Sequence, residues 1–304
     1  MPIIEINNLT KDYELGFWRK RKVHALDALS LTVELGQIFG FLGANGAGKT
    51  TTLKLLMRLI YPTAGSARIL GRDINDIPMH ARIGYLPENP YFYDYLTARE
   101  FLNYCGQLFG EDRKTRERHT EELFTSVNLE EKSWDRQLRK FSKGMLQRVG
   151  LAQALVNDPE IVFLDEPMSG LDPVGRREVR DLIATLRARG KTVFMCSHIL
   201  SDIEVLCDSV AILQRGRLAH AGSLDELRNR ETSAIEVIAT GADAPTITQL
   251  LGNTATVTPT ASGLRIEVSD EKEVDAVIAA LRKVNGKLVA VQPVRQSLED
   301  LFLE

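Results

Sequence analysis

Short apolar runs alternate with amphipathic stretches along the N-terminal part of the chain. Three of these runs are almost wholly apolar, and they cover residues 37–42, 161–164 and 192–196. A run of this kind predicts a strand that is buried on both faces of a parallel sheet. Apolar residues at helical spacing follow the first run at 51–57, and a helix-like segment at 199–207 follows the third. Residues 2–7 and about 30–42 are also predicted to form strands of an N-terminal sheet.

A block of helices is predicted between residues 88 and 160. Thr97 and Glu100 have the spacing of a capping box, which satisfies free backbone N–H groups at the start of a helix. Residues 111–118 are strongly charged and fit an exposed helix. The apolar residues after the capping box fall on one helical face and are Phe101, Leu102, Cys105, Leu108 and Phe109.

The composition changes after Leu218, where a polar stretch at 222–232 predicts a helix and a linker. The predicted elements beyond it are strands at 234–239, 255–257, 264–268 and 288–291, helices at 244–251 and 271–284, and a short helix at 297–303. Apart from that last helix, their order is strand, helix, strand, strand, helix, strand, which is the ferredoxin-like order. We therefore expect two domains, residues 1–222 and 233–304.

Residues 43–50 match the pattern G-x-x-x-x-G-K-[ST] without a gap, between a predicted strand and a predicted helix. Glycines allow backbone N–H groups to converge on phosphate oxygens, and the helix N-terminus adds the positive end of its dipole. Lys49 is expected to reach the β- and γ-phosphates of a nucleotide, and the Thr50 hydroxyl to coordinate Mg²⁺. The alternative is a glycine-rich turn with an incidental lysine.

Two carboxylates follow the apolar run 161–164, at the end of the predicted strand where open α/β sheets place their ligands. Asp165 suits the metal side of such a site, and Glu166 suits a general base that deprotonates an attacking water. The alternative is a pair of solvated acids at a strand end.

These motifs together resemble those of the ATP-binding subunits of ATP-binding cassette (ABC) transporters, in order along residues 1 to about 220. Residues 141–148 look like the signature motif of that family, and residues 169–172 look like the loop at its dimer interface. His198 looks like its switch histidine, Tyr13 is placed like the aromatic residue that stacks on adenine, and Glu88 lies where its glutamine loop is found. The resemblance implies a P-loop fold with a helical subdomain at about 88–160, followed here by a small α+β domain.

The resemblance also implies a head-to-tail dimer with two sandwiched ATP molecules, in which Ser142 and Gly144 of one subunit reach the γ-phosphate bound by the other. The implied catalytic residues are Lys49, Glu166 and His198, and the implied Mg²⁺ ligands are Thr50, Asp165 and Glu88. The implied ATP contacts are Tyr13, Gly43, Asn45, Gly46, Ala47, Gly48, Lys49, Thr50, Thr51, Ser142, Gly144 and Asp172.

Simpler structural roles remain open for four of these residues. Tyr13 could be an ordinary aromatic at a strand end, and His198 a core histidine. Asp172 could merely cap the helix that begins near Val174, whereas Ser142 is expected to be both a helix cap and a phosphate contact.

The chain departs from the family pattern at three positions. In the signature, Lys143 replaces the first of two adjacent glycines and Met145 replaces a glutamine, although Ser142 and Gly144 are kept. Glu88 stands where glutamine is usual, and its carboxylate adds negative charge beside ATP. A glutamate here is compatible with exporter ATPases that serve separate membrane subunits.

Charge and composition narrow the remaining possibilities. The net charge of −3 gives no reason to expect a nucleic-acid partner. The three cysteines lack metal-like or redox spacing and fit buried thiols of a cytoplasmic protein. No secretion signal is visible, and no apolar stretch reaches the ~20 residues that span a bilayer. The prediction is therefore an ATPase on the cytoplasmic face of the cell membrane, acting as a dimer or a pair of cassettes with integral membrane permease subunits.

The predicted function is the ATP-hydrolysing subunit of an ABC exporter. The alternatives are an importer ATPase and a soluble ABC protein that acts on the ribosome or DNA. The aromatic-rich stretch 90–96 is expected either to form a groove for a helix of the membrane partner or to pack inside the helical subdomain. The small C-terminal domain is expected to stabilise or dimerise the chain, with ligand sensing as the alternative.

Overall fold

The computed structural model describes residues 1–16, 21–228, 234–260 and 262–294. The chain divides into two compact units, Met1–Leu224 and Asp225–Glu304. The domain bounds expected from the sequence, 1–222 and 233–304, place residues 223–232 between the two domains. The helix expected at 297–303 lies outside the described residues.

Unit 1 is built on two sheets. Its strands are β1 (Pro2–Leu15), β2 (Arg21–Glu34), β3 (Ile38–Leu42), β4 (Ala64–Ile69), β5 (Arg72–Asp73), β6 (Ile83–Leu86), β7 (Ile161–Asp165), β8 (Thr192–Ser197), β9 (Ser209–Gln214) and β10 (Arg217–Ser223). Its helices are α1 (Lys49–Leu56), α2 (Ala98–Leu108), α3 (Arg113–Ser126), α4 (Lys143–Ala154), α5 (Pro173–Ala188) and α6 (Leu200–Leu206), and α7 (Leu224–Arg228) begins at its last residue.

The larger sheet has the order β10-β9-β3-β8-β7-β6 in the described part of the chain. Strands β9, β3, β8, β7 and β6 are parallel, and β10 pairs antiparallel with β9 at one edge. Every residue of β3, β7 and β8 is buried, as the apolar runs predicted. Because the inner strands are parallel, their carboxyl ends meet at one edge of the sheet.

The second sheet of unit 1 is antiparallel, with the order β2-β1-β4-β5. The prediction of N-terminal strands at 2–7 and about 30–42 was partly wrong. Strand β1 continues to Leu15, and a turn at 35–37, with Gly36 at φ 77°, separates β2 from β3. Residues 38–42 therefore belong to the parallel sheet.

The predicted helical block contains α2, α3 and α4, with two short 3₁₀ turns, Glu131–Ser133 and Leu138–Lys140, between α3 and α4. The capping box at the start of α2 is formed on both sides, since the Glu100 amide donates to Thr97 Oγ1 and the Thr97 amide donates to Glu100 Oε2. The buried Phe92 packs edge-on against Phe101 of α2.

Unit 2 contains β11 (Ala234–Thr240), α8 (Ala244–Leu251), β12 (Ala255–Thr260), β13 (Gly263–Val268), α9 (Glu271–Lys283) and β14 (Lys287–Val294). Its antiparallel sheet has the order β12-β13-β11-β14. This topology is ferredoxin-like, as the order of elements predicted. Alternate residues of β11 and β13, including Val237 and Ile266, form its core with Ile247 of α8 and Val277 of α9.

No helix among the described residues is long and apolar enough to cross a membrane.

Candidate active site

Predicted site residues from four strands meet at the carboxyl edge of the parallel sheet. The loop after β3 leads into α1, Glu88 follows β6, Asp165 ends β7 and Glu166 follows it, and His198 follows β8. A cleft of about 300 Å³ lies between them. Its lining residues are Ala25, Ala44, Asn45, Gly46, Gly48, Lys49, Thr50, Thr51, Glu88, Glu166 and His198.

Two loop glycines are required by the close approach of other backbone segments. Gly48 has a φ of 112°, and a Cβ added to it would lie 2.6 Å from the carbonyl oxygen of Ala25. A Cβ added to Gly43 would lie 2.7 Å from the carbonyl oxygen of Leu213. Any side chain at either position would therefore distort the loop.

Lys49 begins α1 and is buried, with 6% of its surface exposed. Its Nζ donates to the carbonyl oxygens of Gly43 at 2.6 Å and Ala44 at 3.4 Å. The same Nζ lies 3.5 Å from Glu166 Oε1. The lysine thus lies between the glycine loop and the acidic end of β7, where it can serve phosphate oxygens from the loop side.

Asp165 and Thr50 are two predicted metal ligands that contact each other. Thr50 Oγ1 donates to Asp165 Oδ2 at 2.9 Å, whereas the buried Asp165 Oδ1 has no hydrogen-bond partner among the described residues. Burial raises the pKa of Asp165 to about 6, and the nearby Glu88 and Glu166 carboxylates add to this, while the hydrogen bond from Thr50 opposes it. A hydroxyl beside a buried carboxylate with a free oxygen fits Mg²⁺, which prefers oxygen ligands and keeps several waters or phosphate oxygens.

Glu166 is 7% exposed and stands immediately after β7. Its Oε2 lies 2.9 Å from His198 Nδ1, and its Oε1 faces Lys49. The backbone of Glu166 adopts a φ of 50°, in the left-handed region that a residue other than glycine rarely occupies. The geometry brings together the acid, the histidine and the lysine that the sequence indicated.

Three of the predicted ATP contacts do not line this cleft, namely Tyr13, Ala47 and Gly43. Tyr13 is partly exposed on β1, opposite Val23 of β2, and Lys11 Nζ lies 5.2 Å from the centre of its ring. It does not line the cleft, although Ala25, two residues beyond Val23, does. Ala47 is buried and does not line the cleft, and Gly43 contributes its carbonyl oxygen to Lys49.

The remaining predicted contacts lie in a second cleft of about 240 Å³, which shares no residue with the first. Ser142 caps α4, and its Oγ accepts from the amide of Met145 at 3.3 Å. Asp172 caps α5, and its Oδ1 accepts from the amide of Gly175 at 2.8 Å. Gly144 lies beside them, since a Cβ added to it would be 3.5 Å from Leu171 Cδ2. Ser142 and Asp172 therefore each cap a helix, a role that the sequence indicated as possible for both.

Sequence reasoning missed three polar contacts around these clefts. The buried Gln147 in α4 donates from Nε2 to the carbonyl oxygen of Pro167 at 2.8 Å. Arg148 donates from Nη1 to the carbonyl oxygen of Asn128 at 2.6 Å and pairs with Glu178 of α5. The apolar spacing of α4 gave no signal for these contacts, because the partners are distant in sequence.

Comparison with known proteins gives matches over the whole chain. A protein-family model described as ABC transporter matches residues 26–169, and one described as ATP-binding protein DrrA1-3-like, C-terminal domain, matches residues 222–304. An uncharacterised ABC transporter ATP-binding protein of Synechocystis is 45% identical, over 99% of this chain and 84% of the relative. The bacitracin transport ATP-binding protein BcrA of Bacillus licheniformis is 41% identical, over 77% of this chain and 74% of the relative.

Two solved structures extend these similarities. A dimeric bacterial ABC transporter cassette aligns with a TM-score of 0.68 at 26% identity, covering 73% of this chain and 98% of the cassette. A dimeric cassette solved in a post-hydrolysis state with ADP and phosphate aligns with a TM-score of 0.67 at 25% identity, over the same shares of the two chains.

Proposed function

The chain belongs to the ATP-binding proteins of ABC transporters, and on that premise we propose that it powers an exporter whose membrane-spanning subunits are separate chains. It is an ATPase of this family, whose ATP-binding subunits pair as dimers with membrane permease components. The proposal concerns the direction of transport, the roles of individual residues and the composition of the dimer.

One observation carries the proposed mechanism, namely that the two predicted halves of an ATP site lie in separate clefts of one chain. The glycine loop, Glu166 and His198 line the first cleft, and Ser142, Gly144 and Asp172 line the second. Both clefts present backbone groups at the start of a helix, where anions are favoured. A second copy, packed head to tail, would join the first cleft of each subunit to the second cleft of the other.

Within each joined site, the glycine loop from Gly43 to Thr51 holds the phosphates, with Lys49 on the β- and γ-phosphates. Thr50 and Asp165 would hold Mg²⁺, which would neutralise charge on the phosphates. Glu88 lines the same cleft and is assigned to the metal side, directly or through water. Tyr13 is assigned to stack on adenine, which is supported by its position on β1 opposite the strand that carries Ala25.

Glu166 is assigned as the general base that takes a proton from the attacking water. His198 lies 2.9 Å from its carboxylate and is assigned to orient it and to contact the γ-phosphate. A carboxylate that is almost fully buried and contacted by both a lysine and a histidine is fixed in place, as a base that must align a water requires. Ser142, Gly144 and Asp172 complete the site from the opposite subunit.

The surface for the membrane subunits is assigned to the aromatic stretch before α2. Tyr91 is 91% exposed, and Tyr93 and Tyr95 lie with ring centres 6.1 Å apart. Tyr93 also meets Tyr104 of α2 edge-on. Only Phe92 in this stretch is buried, so most of it is free to contact a helix of another chain.

The exporter direction is supported by relatives and by two features of the chain. Two relatives, from Bacillus licheniformis and Enterococcus faecalis, are named for bacitracin transport. Glu88 and the ferredoxin-like unit 2 are both compatible with exporter ATPases that serve separate membrane subunits. The same scheme places the chain on the cytoplasmic face of the cell membrane, as a homodimer or one of a pair of cassettes.

The hydrolytic assignment is tested with Glu166→Gln in the purified chain. We expect ATP binding to be retained and turnover to fall by about 10²–10⁴-fold, the usual contribution of a general base. Wild-type turnover per subunit should rise with protein concentration, because each site needs two copies. Near-normal turnover of Glu166→Gln would assign the base elsewhere, and constant turnover from proven monomers would contradict the shared site.

The transport assignment needs a separate experiment in cells. A stable complex with an integral membrane protein supports transport, whereas association with ribosomes or DNA supports the soluble alternative. Loss of the active chain should make cells accumulate an added probe, with bacitracin as the first one to try, and Glu166→Gln should not restore resistance. Reduced rather than increased accumulation of the transported compound would assign an importer.

A further inference from the structure

The side-chain amide of Gln147 connects the two clefts inside one subunit. Gln147 is 5% exposed and lies in α4, five positions after the capping Ser142. Its Nε2 donates to the carbonyl oxygen of Pro167 at 2.8 Å, across twenty residues of sequence. Pro167 is itself buried and directly follows Glu166. A single hydrogen bond thus joins the helix of the second cleft to the turn that carries the acid of the first.

Two further hydrogen bonds hold the backbone of Glu166 in this turn. The Glu166 amide donates to the carbonyl oxygen of Cys196 at 3.0 Å, and its own carbonyl oxygen accepts from the Ser169 amide at 3.0 Å. Pro167 has no N–H group to donate. Because Glu166 holds a left-handed φ of 50°, its backbone needs these contacts to keep an unfavourable conformation.

We propose that Gln147 is a positioning residue for hydrolysis. Its hydrogen bond fixes the turn after β7, so that the Glu166 carboxylate is oriented toward the attacking water. The bond also makes this orientation depend on the position of α4. This inference rests on the proposed function, in which Ser142 at the start of α4 meets the nucleotide of the other copy. A shift of α4 when Ser142 contacts that nucleotide would then displace the turn after β7 and with it Glu166. Glu166 acts on the nucleotide bound by its own subunit.

Removing the amide should loosen the turn because it leaves a buried carbonyl oxygen without a donor. Gln147→Met keeps the length of the side chain and removes the donor. Gln153→Met is the matched control, since Gln153 lies in the same helix and its side chain makes no hydrogen bond to the described residues. The KM of Gln147→Met for ATP should stay within about twofold of the wild-type value, and its kcat should fall about tenfold. This pattern is expected when a substitution impairs the chemical step but not ATP binding.

A second readout does not depend on turnover. Amide hydrogen exchange of residues 168–171, measured without nucleotide or Mg²⁺, should be faster in Gln147→Met than in wild type and unchanged in Gln153→Met. These amides include that of Ser169, which donates to Glu166.

Gln147→Glu tests whether a hydrogen-bond donor is needed at this position. An ionised carboxylate can only accept hydrogen bonds, whereas a protonated one has an O–H group to donate to Pro167. The kcat of Gln147→Glu relative to wild type should therefore rise as the pH falls, and the ratio for Gln147→Met should stay flat.

The proposal is overturned if Gln147→Met matches Gln153→Met in both kcat and hydrogen exchange. This result would not affect the assignment of Glu166, which is judged by Glu166→Gln alone. If Glu166→Gln keeps near-normal turnover while Gln147→Met still loosens residues 168–171, the proposed base is wrong and the contact is purely structural.

Discussion

The buried carboxylate of Asp165 should make unit 1 less stable as the pH rises, when nucleotide and Mg²⁺ are absent. Its side chain is 1% exposed, and its pKa is raised from 3.8 to about 6. The folded chain therefore holds a proton there that the unfolded chain releases at lower pH. Between about pH 4 and pH 6 the free energy of unfolding falls, because the folded state binds more protons than the unfolded state.

The size of this effect follows from the two pKa values. A difference of one pKa unit corresponds to about 1.4 kcal/mol. The rise in the pKa of Asp165 therefore removes about 3 kcal/mol from the free energy of unfolding by neutral pH. Asp165→Asn cannot ionise, so its stability relative to wild type should grow by the same amount across this range.

Urea unfolding followed by tryptophan fluorescence measures this in unit 1, since both tryptophans of the chain lie in it. The buffer contains a chelator and no nucleotide. Asp181→Asn on the exposed face of α5 is the control, and it should not change the slope of stability against pH. Parallel pH profiles for wild type and Asp165→Asn would show that Asp165 has no raised pKa and would refute the reasoning.

Three further predictions concern other parts of the fold. Gly84→Ala should destabilise unit 1 by about 2–3 kcal/mol in thermal or urea unfolding, because the new Cβ would lie 2.0 Å from the carbonyl oxygen of Ala154. Arg265→Met should destabilise unit 2 by about 2 kcal/mol, since it removes the cation beside the buried Glu236 carboxylate, and adding Glu236→Gln should recover most of the loss in hydrogen exchange of β11. Cys105 should resist alkylation in the native chain at pH 8, because burial raises the pKa of its thiol to about 11, and rapid labelling would contradict this.

The parallel sheet and its ligand edge could be predicted because their signals are local. Uninterrupted apolar runs identify strands that are buried on both faces, as at Phe163 and Phe194, which are fully buried. The acids and the histidine come directly after such strands, and parallel strands bring their carboxyl ends together. The ferredoxin-like order of unit 2 followed from alternating strands and amphipathic helices in the same way.

The N-terminal sheet was predicted less well because its strands are irregular. Strand β1 contains register shifts, and Asn8 within it has a φ of 47°, so apolar and polar residues do not alternate regularly along it. The boundary between β2 and β3 depends on the turn at Gly36, which lies between two segments that both have strand-like patterns. Tyr13 lies in this region, and sequence alone could not relate its ring to the cleft.

Contacts between distant segments were not predictable for a different reason. The bond from Gln147 to Pro167 and the approach of Ala25 to Gly48 join residues whose own neighbours give no sign of a partner. Their formation depends on how α4 and β2 pack on the sheet edge. These contacts are determined by the completed fold.

The conformation of Glu166 shows why such contacts matter for the reaction. A left-handed φ at a residue other than glycine costs on the order of 1 kcal/mol or more, and it persists only where the surroundings fix it. Here the fixing contacts come from three places: Cys196 at the end of β8, Ser169 in the following loop, and Gln147 through Pro167. Since β8 also leads to His198 and Ser142 caps α4, the elements that constrain Glu166 also carry the other residues that we propose contact the γ-phosphate. In the proposed function, movement of either element would displace the Glu166 carboxylate, which gives a physical reason for hydrolysis to depend on assembly of the whole site.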